Sequence, residues 1–214
     1  MIQGVLFDLD GTLADTAPDL GWCLNTLLAR YHKHPISLEY IRPVVSQGVR
    51  GLIQLGFEIN GAAPFYMELQ QEFLTLYKNH YWVDSILYDG IPELLEDLAL
   101  LELPWGIVTN KIERFTTPII PRMSLPTPPS CVVCGDTFER AKPYPDPLLG
   151  AARLLDIHPH NMIYVGDDGR DMEAAQAAEM RGIWACFNAI KAPTPKYFEA
   201  LIEHPLELKK YYRQ

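Results

Sequence analysis

The sequence predicts an α/β fold: a parallel sheet with helices on both faces, interrupted by an inserted helical domain. From about Leu87 onward, short apolar runs alternate with amphipathic stretches, the pattern of strands joined by crossover helices. An isolated apolar run, Val5-Leu6-Phe7, stands far upstream of them. Between the two lies a block of about 65 residues with helical spacing and no convincing strand, far beyond an ordinary connection, so it reads as a small domain of its own. With 214 residues and 48% hydrophobic content, the chain is long and apolar enough to fill such a core.

The elements follow in order. "VLF" reads as a buried first strand and "DGT" as the turn that ends it. The helical block runs from Ala17 to Tyr81, with apolar spacing in "LGWCLNTLLARY" and "FYMELQQEFLTLYKNHYW" and breaks at "HKHPIS" and "NGAAP". Strands are then expected in "PWGIVTN", "SCVVCGD", "MIYVGDD" and "GIWACFN". Helices are expected at Ile91 to Leu101, Glu113 to Met123, Pro147 to Leu155 and Asp171 to Met180. The proline-rich "PIIPRMSLPTPPS" reads as a surface connection. This division assigns residues 1–16 and 86–214 to the α/β core and 17–85 to the insert.

Charge narrows the partners. Asp and Glu outnumber Lys and Arg by 27 to 18, for a net charge of -9, which argues against non-specific binding to nucleic acid or to an anionic membrane surface. No apolar stretch approaches the ~18 residues of a membrane span, and no basic flank precedes the first strand, so neither a span nor a signal peptide is expected. Cys23, Cys131, Cys134 and Cys186 are too sparse for a disulfide scaffold and point to a cytoplasmic protein. "CVVC" has zinc or redox spacing but lacks a second such pair, so two buried strand cysteines are the simpler reading. The six histidines show no ligand spacing.

Polar residues gather where the strands should end. Asp8 and Asp10 alternate at the end of a hydrophobic strand, about 6 to 7 Å apart and on one face. Two anions aimed together call for a cation, and a metal ion is the first candidate. The later strands lead to Thr109-Asn110, to Lys142-Pro143, and to Asp167-Asp168 with Asp171 beyond. Ligands of open parallel sheets bind at the carboxyl ends of the strands, where these clusters would meet.

"FDLDGTLADT", "VTN", "KPYPDP" and "VGDDGRD", in that order, resemble the four signature motifs of the haloacid dehalogenase superfamily, in its phosphatase branch. The likeness covers essentially the whole chain. It implies a Rossmann-like core with an α-helical cap, and Mg²⁺-dependent hydrolysis of a small phosphorylated metabolite through an aspartyl-phosphate. Asp8 resembles the nucleophile. Asp10 resembles the general acid and base, with its backbone carbonyl also near the metal. Asp8 and Asp167 match direct metal ligands, with Asp171 acting from farther out or Asp168 in its place. Lys142 matches the fixed cation; Thr109, Asn110 and the turn at Gly11 match the groups that hold the phosphoryl oxygens. The cap of this family opens to admit substrate and closes to exclude water.

The roles make physical sense. A carboxylate near a phosphate anion is repelled by roughly 4 kcal/mol per unit-charge pair at 4 Å and an effective dielectric of 20, which a divalent ion and a lysine offset. Asp171 alone could simply cap a helix, and Lys142 could be an ordinary loop lysine. Arg50 in "SQGVRGLI" and Lys111 in "NKIERF" are candidates for substrate selectivity, with a solvated surface as the alternative for each.

Near relatives by motif look like phosphoglycolate phosphatases. "WGIVTNKIERFTTPI" and "HPLELKK" resemble bacterial phosphatases of N-acetylmuramic acid 6-phosphate, which act in cell-wall recycling. "MSLPTPPSCVV" and "CFNAIKAP" depart from the family pattern. Two other readings share these residues: a sugar phosphomutase of the same fold, and a non-enzymatic phospho-receiver module.

Overall fold

A computed structural model of the chain describes residues 1–187 and 197–213. Part of the divergent "CFNAIKAP" stretch, residues 188–193, lies outside them. Eight strands are described: β1 (Gly4–Phe7), β2 (Ala14–Asp15), β3 (Ile86–Leu87), β4 (Trp105–Val108), β5 (Cys131–Val133), β6 (Met162–Gly166), β7 (Arg181–Ala185) and β8 (Ala200–Ile202). Six form a parallel sheet in the order β5-β4-β1-β6-β7-β8, and β2 pairs with β3. The chain divides into two units, residues 1–14 with 87–214, and residues 15–86.

The helical unit holds α1 (Ala17–Arg30), α2 (Leu38–Ile41), α3 (Gly48–Phe57) and α4 (Tyr66–His80). α1 has Pro18 and Asp19 in its first turn and Arg30 in its last, and buries Leu20, Leu24, Leu27 and Leu28 along one stripe. Asp19 is buried and accepts backbone N–H groups from Val83, Asp84 and Ser85 at 2.9 to 3.1 Å. One carboxylate thus folds the whole return segment.

The sheet unit adds α5 (Ile91–Leu100), α6 (Glu113–Thr116), α7 (Asp146–Leu155), α8 (Gly169–Ala177) and α9 (Lys209–Tyr212). β1 lies between β4 and β6, and Phe7 sits opposite Ile107 on one side and Val165 on the other. A strand covered on both faces has no polar side, so all four residues of "GVLF" are buried. This register carries the site, because Asp8, Thr109 and Asp167, the residues that follow β1, β4 and β6, leave adjacent strands of the sheet. Leu6, Val108, Val133, Leu148, Tyr164 and Ala174 share the core cluster that spans these strands, α7 and α8.

Two expectations need correction. The helix expected over Glu113 to Met123 is a single turn, α6, followed by a separate 3₁₀ turn at Ile120–Arg122, because Pro118 and Pro121 each remove a helical N–H donor. α8 begins at Gly169, two residues early, because Asp168 caps it. β8 escaped the sequence reading because three residues carry too little periodicity to register. No described helix is long and apolar enough to cross a membrane.

Candidate active site

Lys142 is the centre of the arrangement. Its side chain is 2% exposed, and its Nζ lies 2.9 Å from Asp8 Oδ1 and 2.7 Å from Asp171 Oδ1. It also donates to Val108 O at 3.0 Å and to Tyr164 Oη at 2.7 Å. Four acceptors therefore surround an ammonium with three protons. Asp8 Oδ1 is the one left over: it is buried and accepts no hydrogen bond despite its ion pair.

The protonation balance follows from this crowding. Burial pushes the Asp8 carboxyl up to about 7; Lys142 opposes the rise, and Asp171 and Asp10 add to it. Burial works against the Lys142 charge as well, but the Asp171 and Asp8 carboxylates outweigh it and hold the ammonium above its ordinary value. Burial and the same two carboxylates keep the Tyr164 phenol protonated, well above its usual range.

The remaining carboxylates are placed by bare backbone. Thr12 Oγ1 donates to Asp167 Oδ1 at 2.8 Å. A Cβ at Gly11, whose φ is +88°, would stand 2.3 Å from Asp167 Oδ2, so only glycine lets that carboxylate in. Gly166 does the same for Asp171, whose Cγ would lie 2.4 Å from an added Cβ. Asp8, Asp167 and Asp171 each offer an oxygen, all within 4.8 Å of one another.

This oxygen-only set, with one buried oxygen lacking a donor, fits a hard divalent cation such as Mg²⁺. Charge agrees: Asp8, Asp167 and Asp171 have the single ammonium of Lys142 beside them, leaving two negative charges over. Asp19, His80 and Asp84 also lie within 4.8 Å of one another, but the Asp19 oxygens are already taken by the amides of Val83, Asp84 and Ser85.

Other predicted residues have partners the sequence did not reveal. Lys111 Nζ forks onto both oxygens of Asp10 at 2.9 and 3.0 Å. Its side chain is 8% exposed, so it belongs to no solvated surface. Asn110 turns its amide onto the backbone of Lys142, donating to its O at 2.9 Å and accepting from its N at 3.0 Å. The Thr109 hydroxyl accepts from Lys111 N at 3.2 Å.

Asp168 and Asp171 form a capping box on α8: Asp168 Oδ1 accepts from Arg170 N, and Asp171 Oδ2 from Asp168 N, both at 3.0 Å. Asp171 therefore caps with one oxygen and meets Lys142 with the other. Arg50 lies in the helical unit, exposed on α3. Cys131 and Cys134 are buried free thiols, and burial pushes Cys131 up to about 11. Tyr164 was missed, though a tyrosine inside the buried run "MIYVG" signals a hydroxyl that must find partners.

Comparison with known proteins bears on the whole chain. The family model of haloacid dehalogenase-like hydrolases matches residues 5–185. The chain is 38% identical over 210 residues to the N-acetylmuramic acid 6-phosphate phosphatase of Pseudomonas aeruginosa, covering 97% of this chain and 93% of that one. It is 38% identical over 205 residues to a phosphoglycolate phosphatase of Xylella fastidiosa, covering 94% and 89%. Among solved structures, a predicted phosphoglycolate phosphatase from Haemophilus somnus 129PT superposes with a TM-score of 0.84 at 22% identity, over 98% of this chain and 97% of that one. CbbY from Rhodobacter sphaeroides, in complex with xylulose-1,5-bisphosphate, superposes with a TM-score of 0.73 at 20% identity, over 97% and 96%.

Proposed function

The chain belongs to the haloacid dehalogenase-like hydrolase family and is a phosphoric monoester hydrolase, and on that premise we propose that it hydrolyses a small sugar or acid phosphate through a phosphorylated Asp8. One observation carries the reading: a buried lysine shared by two carboxylates, Asp8 just past β1 and Asp171 in the first turn of α8, with one oxygen of Asp8 left without a donor. N-acetylmuramic acid 6-phosphate is the first substrate to test and phosphoglycolate the second, after the relatives that act on them.

In this mechanism Asp8 attacks phosphorus in line with the ester oxygen, and the P–O ester bond breaks as the Asp8–P bond forms. Asp10 gives its proton to the departing alkoxide. It then takes a proton from the water that attacks the phospho-aspartate, releasing inorganic phosphate and restoring Asp8. Lys142 pairs with a phosphoryl oxygen, and Thr109 with the amides of the Gly11-Thr12 turn holds the others. Asp8 and Asp167, supported by Asp171 and the Asp10 carbonyl, would hold Mg²⁺, which supplies positive charge against the phosphoryl oxygens.

Phosphate release should be measured over N-acetylmuramic acid 6-phosphate, phosphoglycolate, other sugar phosphates and nucleotides, with Mg²⁺ and with a chelator. The expected outcome is multiple turnover on at least one ester with Mg²⁺ and silence with chelator. A phosphomutase would return the phosphoryl group to its product without steady release of phosphate. No release from any ester would overturn the proposal, and full activity in chelator would remove the metal from it.

A further inference from the structure

We infer that Tyr164 is a positioning residue whose hydroxyl supplies a spare hydrogen bond, freeing one Lys142 proton for the phosphoryl group. The inference rests on the proposed role of Lys142 and deepens it. Proton counting around the ammonium carries it. Lys142 Nζ has three protons, and Tyr164 Oη brings a fourth. Three other acceptors lie within reach of the ammonium: Val108 O at 3.0 Å, Asp171 Oδ1 at 2.7 Å and Asp8 Oδ1 at 2.9 Å. Tyr164 Oη lies 2.9 Å from Val108 O and 3.0 Å from Asp171 Oδ1, so its single proton can serve either.

In the resting site one ammonium proton goes to the hydroxyl itself, at 2.7 Å, and Asp8 Oδ1 goes without a donor. When a phosphoryl oxygen arrives, the acceptors become Val108 O, Asp171, Asp8 and that oxygen. Four protons meet four acceptors when the phenol covers Val108 O or Asp171 Oδ1 and Lys142 serves the other three. With phenylalanine at this position, three protons still satisfy the resting site. The phosphoryl-bound site falls one short, and a buried acceptor goes without a donor.

The difference between the two states makes the inference testable. Tyr164→Phe removes one oxygen from a fully buried ring and conserves its shape. An unmet buried acceptor should lower kcat/KM, and raise the inhibition constant for orthovanadate, by about five- to a hundredfold. The melting temperature of the free enzyme should stay at the wild-type value. Equal kcat/KM and equal vanadate inhibition would overturn the inference. So would a fall in melting temperature with vanadate affinity unchanged, or failure to fold, since each places the hydroxyl in the resting core alone. Wild-type enzyme run in parallel separates the two readings: if it releases no phosphate, the proposed function fails before this comparison begins.

Discussion

Asp8 and Asp97 are each 6% exposed, yet their environments drive them in opposite directions. Asp97, on α5, faces burial too, but Arg213, Tyr212 and Lys209 outweigh it and hold the carboxyl below its ordinary value. Tyr212 Oη donates at 2.8 Å, Arg213 Nε at 3.2 Å, and Lys209 Nζ lies 3.2 Å away. One carboxylate there has two cations and a phenol. Asp8 must share one ammonium with Asp171, and its carboxyl rises to about 7. Equal surface exposure therefore hides two differences: Asp8 lies deeper in protein than Asp97 and has fewer donors per anion, and together these separate a clamp from a reactive group.

The largest effect should come from removing the reactive one. Asp8→Asn is expected to lower turnover at least about a thousandfold, as loss of a nucleophile does. Its far-ultraviolet circular dichroism should match wild type, because the amide keeps the shape. Turnover within tenfold of wild type would dismiss Asp8 as nucleophile and make the two aspartates alike.

Asp97→Ala should do the reverse. It strands the Tyr212 hydroxyl and releases two cations that can reach water, costing about 2 to 3 kcal/mol of stability. Urea unfolding should show that loss while kcat and KM stay at wild-type values. A change in kcat larger than the change in folded fraction would contradict a purely structural clamp.

The contrast also predicts opposite pH responses. The folded Asp8 carboxyl titrates near 7 against an ordinary 3.8, so between those values the folded protein holds a proton the unfolded chain has released. This contribution to stability is full below 3.8 and is lost as the pH rises toward 7. It amounts to a few kcal/mol at most, because Asp8 is coupled to its neighbours. Asp97, held low, contributes above the ordinary carboxylate range and loses its contribution as the pH falls through its own lowered value. Melting curves in chelator should decline from pH 4 to 7 more steeply for wild type than for Asp8→Asn. Parallel curves would mean that Asp8 titrates normally.

How much of this contrast was legible in the sequence depends on the range of each interaction. The nearness of Asp8, Thr109 and Asp167 is readable, because strand order puts the carboxyl ends of β1, β4 and β6 side by side, and Lys142 follows β5, the neighbour of β4. The apolar run at Val5 to Phe7 and the alternation after Leu87 signalled the sheet for the same reason: they are local patterns with a known period. Partners that depend on side-chain direction were not readable. Lys111 reads as a selectivity candidate because nothing in "NKIERF" says that its ammonium turns back to Asp10. Asn110 looked like a phosphate ligand, whereas its amide braces the backbone of Lys142. The Asp97 clamp was invisible, since its donors lie more than a hundred residues away at the end of the chain.

Asp168 supplies the finest test of the same idea. It stands beside Asp167 in "GDD", and composition alone gives it as strong a claim on a metal as Asp171. Its surroundings resemble those of Asp97: burial opposes its charge, but Arg170 outweighs burial through its side chain and its backbone N–H. Asp171 resembles Asp8, with one oxygen on Lys142 and a place in the three-carboxylate group. Asp168→Ala should therefore cost about 1 kcal/mol of stability, the usual loss for an N-cap. Its activation by Mg²⁺ should follow the wild-type titration. Asp171→Ala should shift that titration to higher Mg²⁺ and lower kcat as well, because it frees Lys142 from one of its two carboxylates. Reversal of the two phenotypes would show that nearness to the cation, rather than the number of donors around each carboxylate, decides which aspartate serves the metal.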